Sequence, residues 1–177
     1  MPTAIKPKNV RLRPGDPLGR RLYFVTLCFN KRERVGSNPR VAAWLVERLR
    51  QHAANRGILI HAYCLMPDHV HILAQAADEA GDLRAFVEYF KQDTGFRFQA
   101  RTRRRLWQFK YFVHNVRTPE AGERIAWYMW MNPVRKGLCS APQDYRFSGS
   151  FTDLGAEIRQ APAPKPWSPP WKTEASL

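Results

Sequence analysis

The chain has 177 residues, 44% of them hydrophobic and 25% charged, which fits one domain with tails and a core large enough to need no disulfide staples. It carries 29 Lys and Arg against 15 Asp and Glu, a formal net charge of +14, and such a surface points to a polyanion, nucleic acid above all. No apolar run approaches the ~18 residues of a membrane span, the N-terminal stretch has no apolar signal segment, and Cys28, Cys64 and Cys139, odd in number and without a C-x-x-C, exclude a zinc ribbon and a disulfide framework, so a reducing cytoplasm is expected.

Residues 1–19 mix Pro7, Pro14 and Pro17 with basic side chains and read as a basic N-terminal arm. The packed domain is expected over 20–150. Arg21 to Phe29 is aromatic and β-branched, a strand. Val41 to Ala54 places Val41, Trp44, Leu45, Leu49 and Ala53 on a helical stripe that Gly57 ends. Ile58 to Leu65 and His69 to Gln75 predict an antiparallel pair joined at Pro67-Asp68. Asp82 to about Phe98 is helical, with Leu83, Phe86, Val87 and Phe90 on one face, and Trp107 to Val116 is a fourth strand. Thr118 caps a last helix that starts at Pro119 and ends near Pro133 and Gly137. Periodicity is lost from residue 153. Residues 151–177 form a Pro/Trp-rich tail with Pro162, Pro164, Pro166, Pro169 and Pro170 around Trp167 and Trp171. That tail is either flexible chain or a strap that lays its tryptophans on the domain or on bases.

The order strand, helix, strand, strand, helix, strand, helix predicts an α+β fold. It matches the ferredoxin-like split βαβ plan, an antiparallel sheet with helices on one face, plus an extra C-terminal helix carrying Tyr128. RNA-binding domains share this plan, so function must come from particular residues.

Three constellations stand out. In Met66-Pro-Asp-His-Val-His-Ile-Leu73, His69 and His71 are two apart on a strand and share a face. They are either a simple histidine pair or two imidazole ligands for one divalent cation. In Tyr128-Met-Trp-Met-Asn-Pro-Val-Arg135, Tyr128 and Asn132 share a helix face. Tyr128 is either a core tyrosine or a phenol able to attack phosphorus, and Asn132 could complete a ligand set with the histidines. Pro133 pushes Asn132 towards the end or cap of that helix. Third, basic residues cluster in groups: Arg11, Arg13, Arg20 and Arg21; Lys31, Arg32 and Arg34; and Arg97, Arg101, Arg103, Arg104, Arg105 and Lys110, this last group among Phe96, Phe98, Trp107 and Phe109. Guanidinium groups grip phosphate and flat rings stack on unpaired bases.

The strings Tyr63-Cys-Leu-Met-Pro-Asp-His-Val-His-Ile-Leu73 and Tyr128-Met-Trp-Met-Asn-Pro-Val-Arg-Lys-Gly-Leu138 resemble the single-tyrosine HUH transposases with an IS200-like domain, and among them the REP-associated tyrosine transposases of bacteria. Further matches lie at Tyr23-Phe-Val-Thr26, Leu106-Trp-Gln108, Phe112-Val-His-Asn-Val-Arg117 and Tyr145-Arg-Phe-Ser148. The resemblance implies a nuclease and strand transferase for single-stranded DNA that folds into hairpins at palindromic repeats. It implies Tyr128 as nucleophile, forming a 5′-phosphotyrosine, and His69, His71 and Asn132 as ligands of one Mg2+ or Mn2+ ion. It implies a monomer or homodimer, no membrane partner, and a place on the nucleoid through DNA. Arg11, Arg13, Arg20, Arg21, Arg101, Arg103, Arg104, Arg105 and Lys110 are the candidates for gripping DNA, on charge alone. Against this stands a non-catalytic single-stranded DNA or RNA-binding module on the same sheet, which would need charge and aromatics but not His69, His71 and Tyr128 together. A metal hydrolase with Tyr128 structural is the third option, and it lacks an acidic base near the site.

Overall fold

A computed structural model describes residues 20–166. Its centre is an antiparallel sheet in which β1 (Leu22–Cys28), β2 (Ile58–Leu65), β3 (His69–Ala76), β4 (Phe112–Val116) and β5 (Ser148–Gly149) lie in the order β4-β1-β3-β2-β5. The first four follow the ferredoxin-like plan, and β5 adds a short edge beside β2.

Alternation along the strands gives the sheet two apolar faces. Tyr23, Val25 and Leu27 of β1, with Val70 and Ile72 of β3, pack under α1 (Pro39–Asn55) and α2 (Leu83–Thr102), where Leu45, Leu49, Phe86 and Phe90 are buried. Phe24 and Leu73 point the other way, against Ile125, Ala126, Met129 and Trp130 of α3 (Pro119–Trp130). The helix expected to carry the tyrosine therefore covers the face opposite the other two. A register shift between Ile60 and Ala62 matters here. It reverses the parity of β2, so that Ala62 and Cys64 join the α3 face while Ile58 and Ile60 stay on the other.

Local chemistry explains most boundaries. Asn38, Asp82 and Thr118 accept bonds from backbone N–H groups at the starts of α1, α2 and α3. Helix α2 runs four residues past the expected end and stops where Arg103 turns left-handed (φ 58°). Strand β4 is shorter than expected. Trp107 makes only an isolated bridge to Phe29, because its ring stacks on Phe29 at 4.9 Å and its indole N–H donates to Thr94 Oγ1 at 2.8 Å. The ammonium of Lys91 donates to the carbonyls of Gln108 and Phe109 at 2.9 and 3.0 Å. Those carbonyls are thus turned to a side chain rather than to a strand.

The expected tail begins too early. Residues Asp153–Gln160 form α5, capped by Thr152, whose side chain accepts from the Gly155 N–H. Eight residues with only Leu154 and Ile158 as large apolar side chains leave almost no periodic signal. A Cβ on Gly155 would lie 2.1 Å from the His61 carbonyl oxygen, so glycine is what lets α5 dock on β2. Trp167 and Trp171 fall outside the described residues.

Candidate active site

The histidine pair opens β3, directly after the turn at Pro67-Asp68, where the Met66 N–H donates to the His69 carbonyl at 2.8 Å. A Cβ on Gly36 would lie 2.4 Å from the Met66 carbonyl oxygen, so a glycine there lets a neighbouring turn brace this loop from behind. Strand register places Thr26 opposite His71 and Cys28 opposite His69. The outer ring nitrogens are both engaged: His69 Nδ1 with Asp68 Oδ1 at 2.6 Å and His71 Nδ1 with Thr26 Oγ1 at 2.9 Å. The inner Nε2 atoms therefore face each other, 3.0 Å apart.

With both rings neutral, one proton arrangement satisfies all three contacts. The Asp68 carboxylate accepts from His69 Nδ1–H, His69 Nε2 accepts from His71 Nε2–H, and His71 Nδ1 accepts from the Thr26 hydroxyl. The His69 bond, ahead of Arg32, holds the Asp68 carboxyl well below the usual carboxylate range. Burial, and then the neighbouring His69, push the His71 imidazole well below its ordinary value, so His71 stays neutral, the form that ligates metal. Two ligands at right angles on an ion about 2.1 Å from each would lie about 3 Å apart, so the nitrogen spacing suits one cation. Among the described residues no three His, Cys, Asp or Glu side chains gather as a metal cluster, so any third protein ligand to a cation here would be of another type.

Asn132 offers a donor of another type, an amide oxygen. Met131 keeps right-handed helical angles (φ −77°, ψ −11°), and Asn132 opens a new helical turn, α4 (Asn132–Arg135), with Pro133 near its start where a missing N–H costs nothing. Asn132 is thus the first residue of α4 and neither the end nor the cap of α3. The path stays helical, and Tyr128 and Asn132 line the same cleft of about 770 Å³ as His69 and His71. Asn132 is buried. Its Oδ1 accepts from Arg135 at 2.6 Å, and its Nδ2 has no partner among the described residues. The half-buried Tyr128 ring lies with its centroid 6.4 Å from that of His71. Arg135 covers its face at 4.5 Å and donates to the Tyr128 carbonyl at 2.7 Å. A phenol, two imidazoles and an amide of one chain thus share one pocket, and a cation with a phosphodiester would find nitrogen, oxygen and hydroxyl donors there.

The DNA candidates do not form one patch. Lys110 lines the cleft, with Arg32, Arg34 and Lys136. Arg105 lines a neighbouring groove, and Arg101 a third between α1 and α2. Arg103 ends α2, and Arg104 is paired with Glu33. Arg20 and Arg21 line a groove with Leu154 and Ile158, at the start of β1, while the histidines face its end. Arg11 and Arg13 fall outside the described residues.

Sequence reasoning missed Thr26, Asp68, Arg135 and Lys136. Asp68, adjacent to His69 in the quoted string, could have been found as an orienting carboxylate. Thr26 could not, because its place opposite His71 depends on long-range register. Trp127 and Trp130, bulky for a site helix, are core anchors: both are buried, and the Trp130 indole donates to the Gly149 carbonyl at 3.2 Å. His114 pairs with Phe24 across β1 and β4, on the site's side of the sheet.

A family model described as "Transposase IS200 like" matches residues 20–129. A Haemophilus influenzae protein assigned as a REP-associated tyrosine transposase is 24% identical over 108 residues. That match covers 55% of this chain and 61% of the relative's length. The structure of a REP-associated tyrosine transposase bound to a REP hairpin superposes with a TM-score of 0.68 at 17% identity, over 91% of this chain and 93% of that one, which shows a common fold. No described helix is long and apolar enough to cross a membrane. With more than half of its length matched by the family model, the chain belongs to the IS200-like transposase family.

Proposed function

We propose that the protein is a metal-dependent enzyme that nicks and rejoins single-stranded DNA beside hairpin-forming palindromic repeats. The observation that carries this reading is the meeting of His69 and His71, Nε2 atoms 3.0 Å apart, with Tyr128 and Asn132 in one cleft. His69, His71 and Asn132 would hold one divalent cation, Mg2+ or Mn2+. Such an ion, when bound, neutralises phosphate charge and polarises a phosphoryl oxygen. The hairpin-bound relative supports the choice of folded single strands as substrate.

Tyr128 Oη loses its proton to solvent and bonds to the scissile phosphorus as the bond from phosphorus to the 3′ oxygen breaks. The departing 3′ oxygen takes up a proton, and the other strand end stays on the enzyme as a 5′-phosphotyrosine. An incoming 3′-hydroxyl reverses the exchange, and the phenol regains its proton. One phosphoester bond forms for each one broken, so no nucleoside triphosphate is consumed. Arg135, stacked on the Tyr128 ring and bonded to Asn132, sets the ring's direction relative to the ligand set. All four groups come from one chain, so a monomer suffices.

Incubation with end-labelled hairpin DNA and Mn2+ tests the reading. The wild type forms an adduct that survives denaturant, and Tyr128→Phe forms none while binding DNA within a few fold. An adduct that persists in Tyr128→Phe removes the nucleophile assignment.

A further inference from the structure

Next to the cleft lies a second groove of about 490 Å³ that the chemistry above does not use. Gln108 and Tyr111 line both, so the two adjoin. One wall is the α2 face bearing Gln92, Phe96 and Gln99. The other is the run from Arg105 to Tyr111. The aromatic residues around this groove divide sharply. Trp107 and Tyr111 are buried, at 4% and 5% exposure, whereas Phe96 and Phe109 are 73% and 65% exposed. Rings so exposed leave apolar surface in water, a cost that a stacking partner removes. Phe109 is also held in place: the two carbonyls that Lys91 binds, those of Gln108 and Phe109, fix the backbone that carries its ring.

The charge around the groove suits a nucleic-acid strand. Arg105 lines it, and its acid, Glu88, is spent on Arg84 at 2.9 Å. Gln92 and Gln99 present exposed amides that can donate to and accept from base edges. From Glu88 to Gln99 the helix rises about 16 Å, room for up to about five stacked nucleotides. An exposed aromatic ring beside guanidinium and amide groups is the composition of an unpaired-base platform, and the lining shared with the cleft favours a strand that runs on from it.

We propose that this groove is a subsite for the unpaired strand that continues from the cleft, with Phe109 and Phe96 as stacking platforms for its bases and Arg105 as a phosphate contact. The assignment rests on the single-strand reading of the cleft. It places readout of the flanking strand on α2 and residues 105–111, apart from the catalytic groups.

The test compares two DNA hairpins by fluorescence anisotropy, one blunt and one carrying an unpaired tract of about five thymidines on either side, the length that the groove admits. Wild-type protein is measured beside the double variant Phe96→Ala/Phe109→Ala. Both rings are exposed, so the variant folds, as its thermal melting will show. The tract is expected to strengthen wild-type binding about tenfold or more, and the double variant to lose that gain while binding the blunt hairpin as before. A 2-aminopurine within the tract should be quenched by the wild type and not by the variant. If the wild type binds neither hairpin, the single-strand reading itself falls. If it binds both and the variant keeps the full tract gain and the quenching, the groove assignment alone is overturned.

Discussion

A histidine ligand is only as good as the group that aims it. Here each imidazole has one nitrogen tied to an oxygen, His69 to Asp68 and His71 to Thr26, which leaves both Nε2 atoms directed at one point. Cation binding requires both Nε2 lone pairs, so His71 must move its proton to Nδ1 and donate it to Thr26 Oγ1, while His69 already donates to Asp68. Replacing Asp68 with Asn removes the anion that favours the required His69 tautomer. Asp68→Asn is expected to weaken Mn2+ binding about 10- to 100-fold, read by calorimetric titration, with an unchanged circular dichroism spectrum. Wild-type affinity in this variant would mean that the histidines are not the ligands. The pair itself was legible in sequence because a strand repeats every two residues. The tether on His71 was not, since it comes from a strand 45 residues away. Nor was the hold of Arg135 on Tyr128 and Asn132, which depends on the helix restarting at Asn132.

Between elements, the feature that fixes the helical layer is polar. Asp93 on α2 accepts from Arg48 on α1 at 2.6 and 3.0 Å, from Arg97 at 2.7 Å, and lies 3.0 Å from His52 Nε2. Burial pushes the Asp93 carboxyl upward, but the bonds from Arg97, His52 and Arg48 outweigh it and hold the group well below its ordinary value. A carboxyl lowered in the folded state adds stability above its unfolded pKa of about 3.9, and that stability drains away as pH falls further through the folded value. Asp93→Asn should therefore cost about 1–3 kcal/mol at neutral pH, less than a fully buried pair because the site is part-exposed. Its penalty should shrink below about pH 4, which thermal melting from pH 3 to 7 will show. A penalty constant across that range would assign the clamp no role as an ion pair. Most of this layer could be read from sequence: α1, β2 and β3 have strong periodicity and clear stops. The end of α2, the start of β4 and helix α5 could not. The first is set by a backbone turn, the left-handed Arg103, and the other two by tertiary partners, the Lys91 bonds and the close approach of Gly155 to His61, none of which leaves a periodic pattern.

Over the whole molecule, a charge of +14 draws in any polyanion, yet only cations that touch phosphate release counterions and so shape the salt dependence of binding. The two roles would fall to different side chains. Lys110 and Lys136 are exposed and line the cleft, while Arg104 is occupied by Glu33 and Arg32 by Asp68. Arg20 and Arg21 lie towards the opposite end of β1 from the histidines. If the strand crosses the cleft, Lys110→Gln with Lys136→Gln removes two phosphate contacts, and the slope of log affinity against log salt should flatten by about 1.4 for single-stranded DNA. Arg20→Gln with Arg21→Gln subtracts the same charge and should lower affinity at low salt with little change of slope. The two double variants, titrated from about 50 to 200 mM salt, distinguish contact from steering. Should the slope fall instead in the Arg20/Arg21 variant, the strand runs over the groove between α3 and α5, and the cleft that holds His69, His71 and Tyr128 meets only its end.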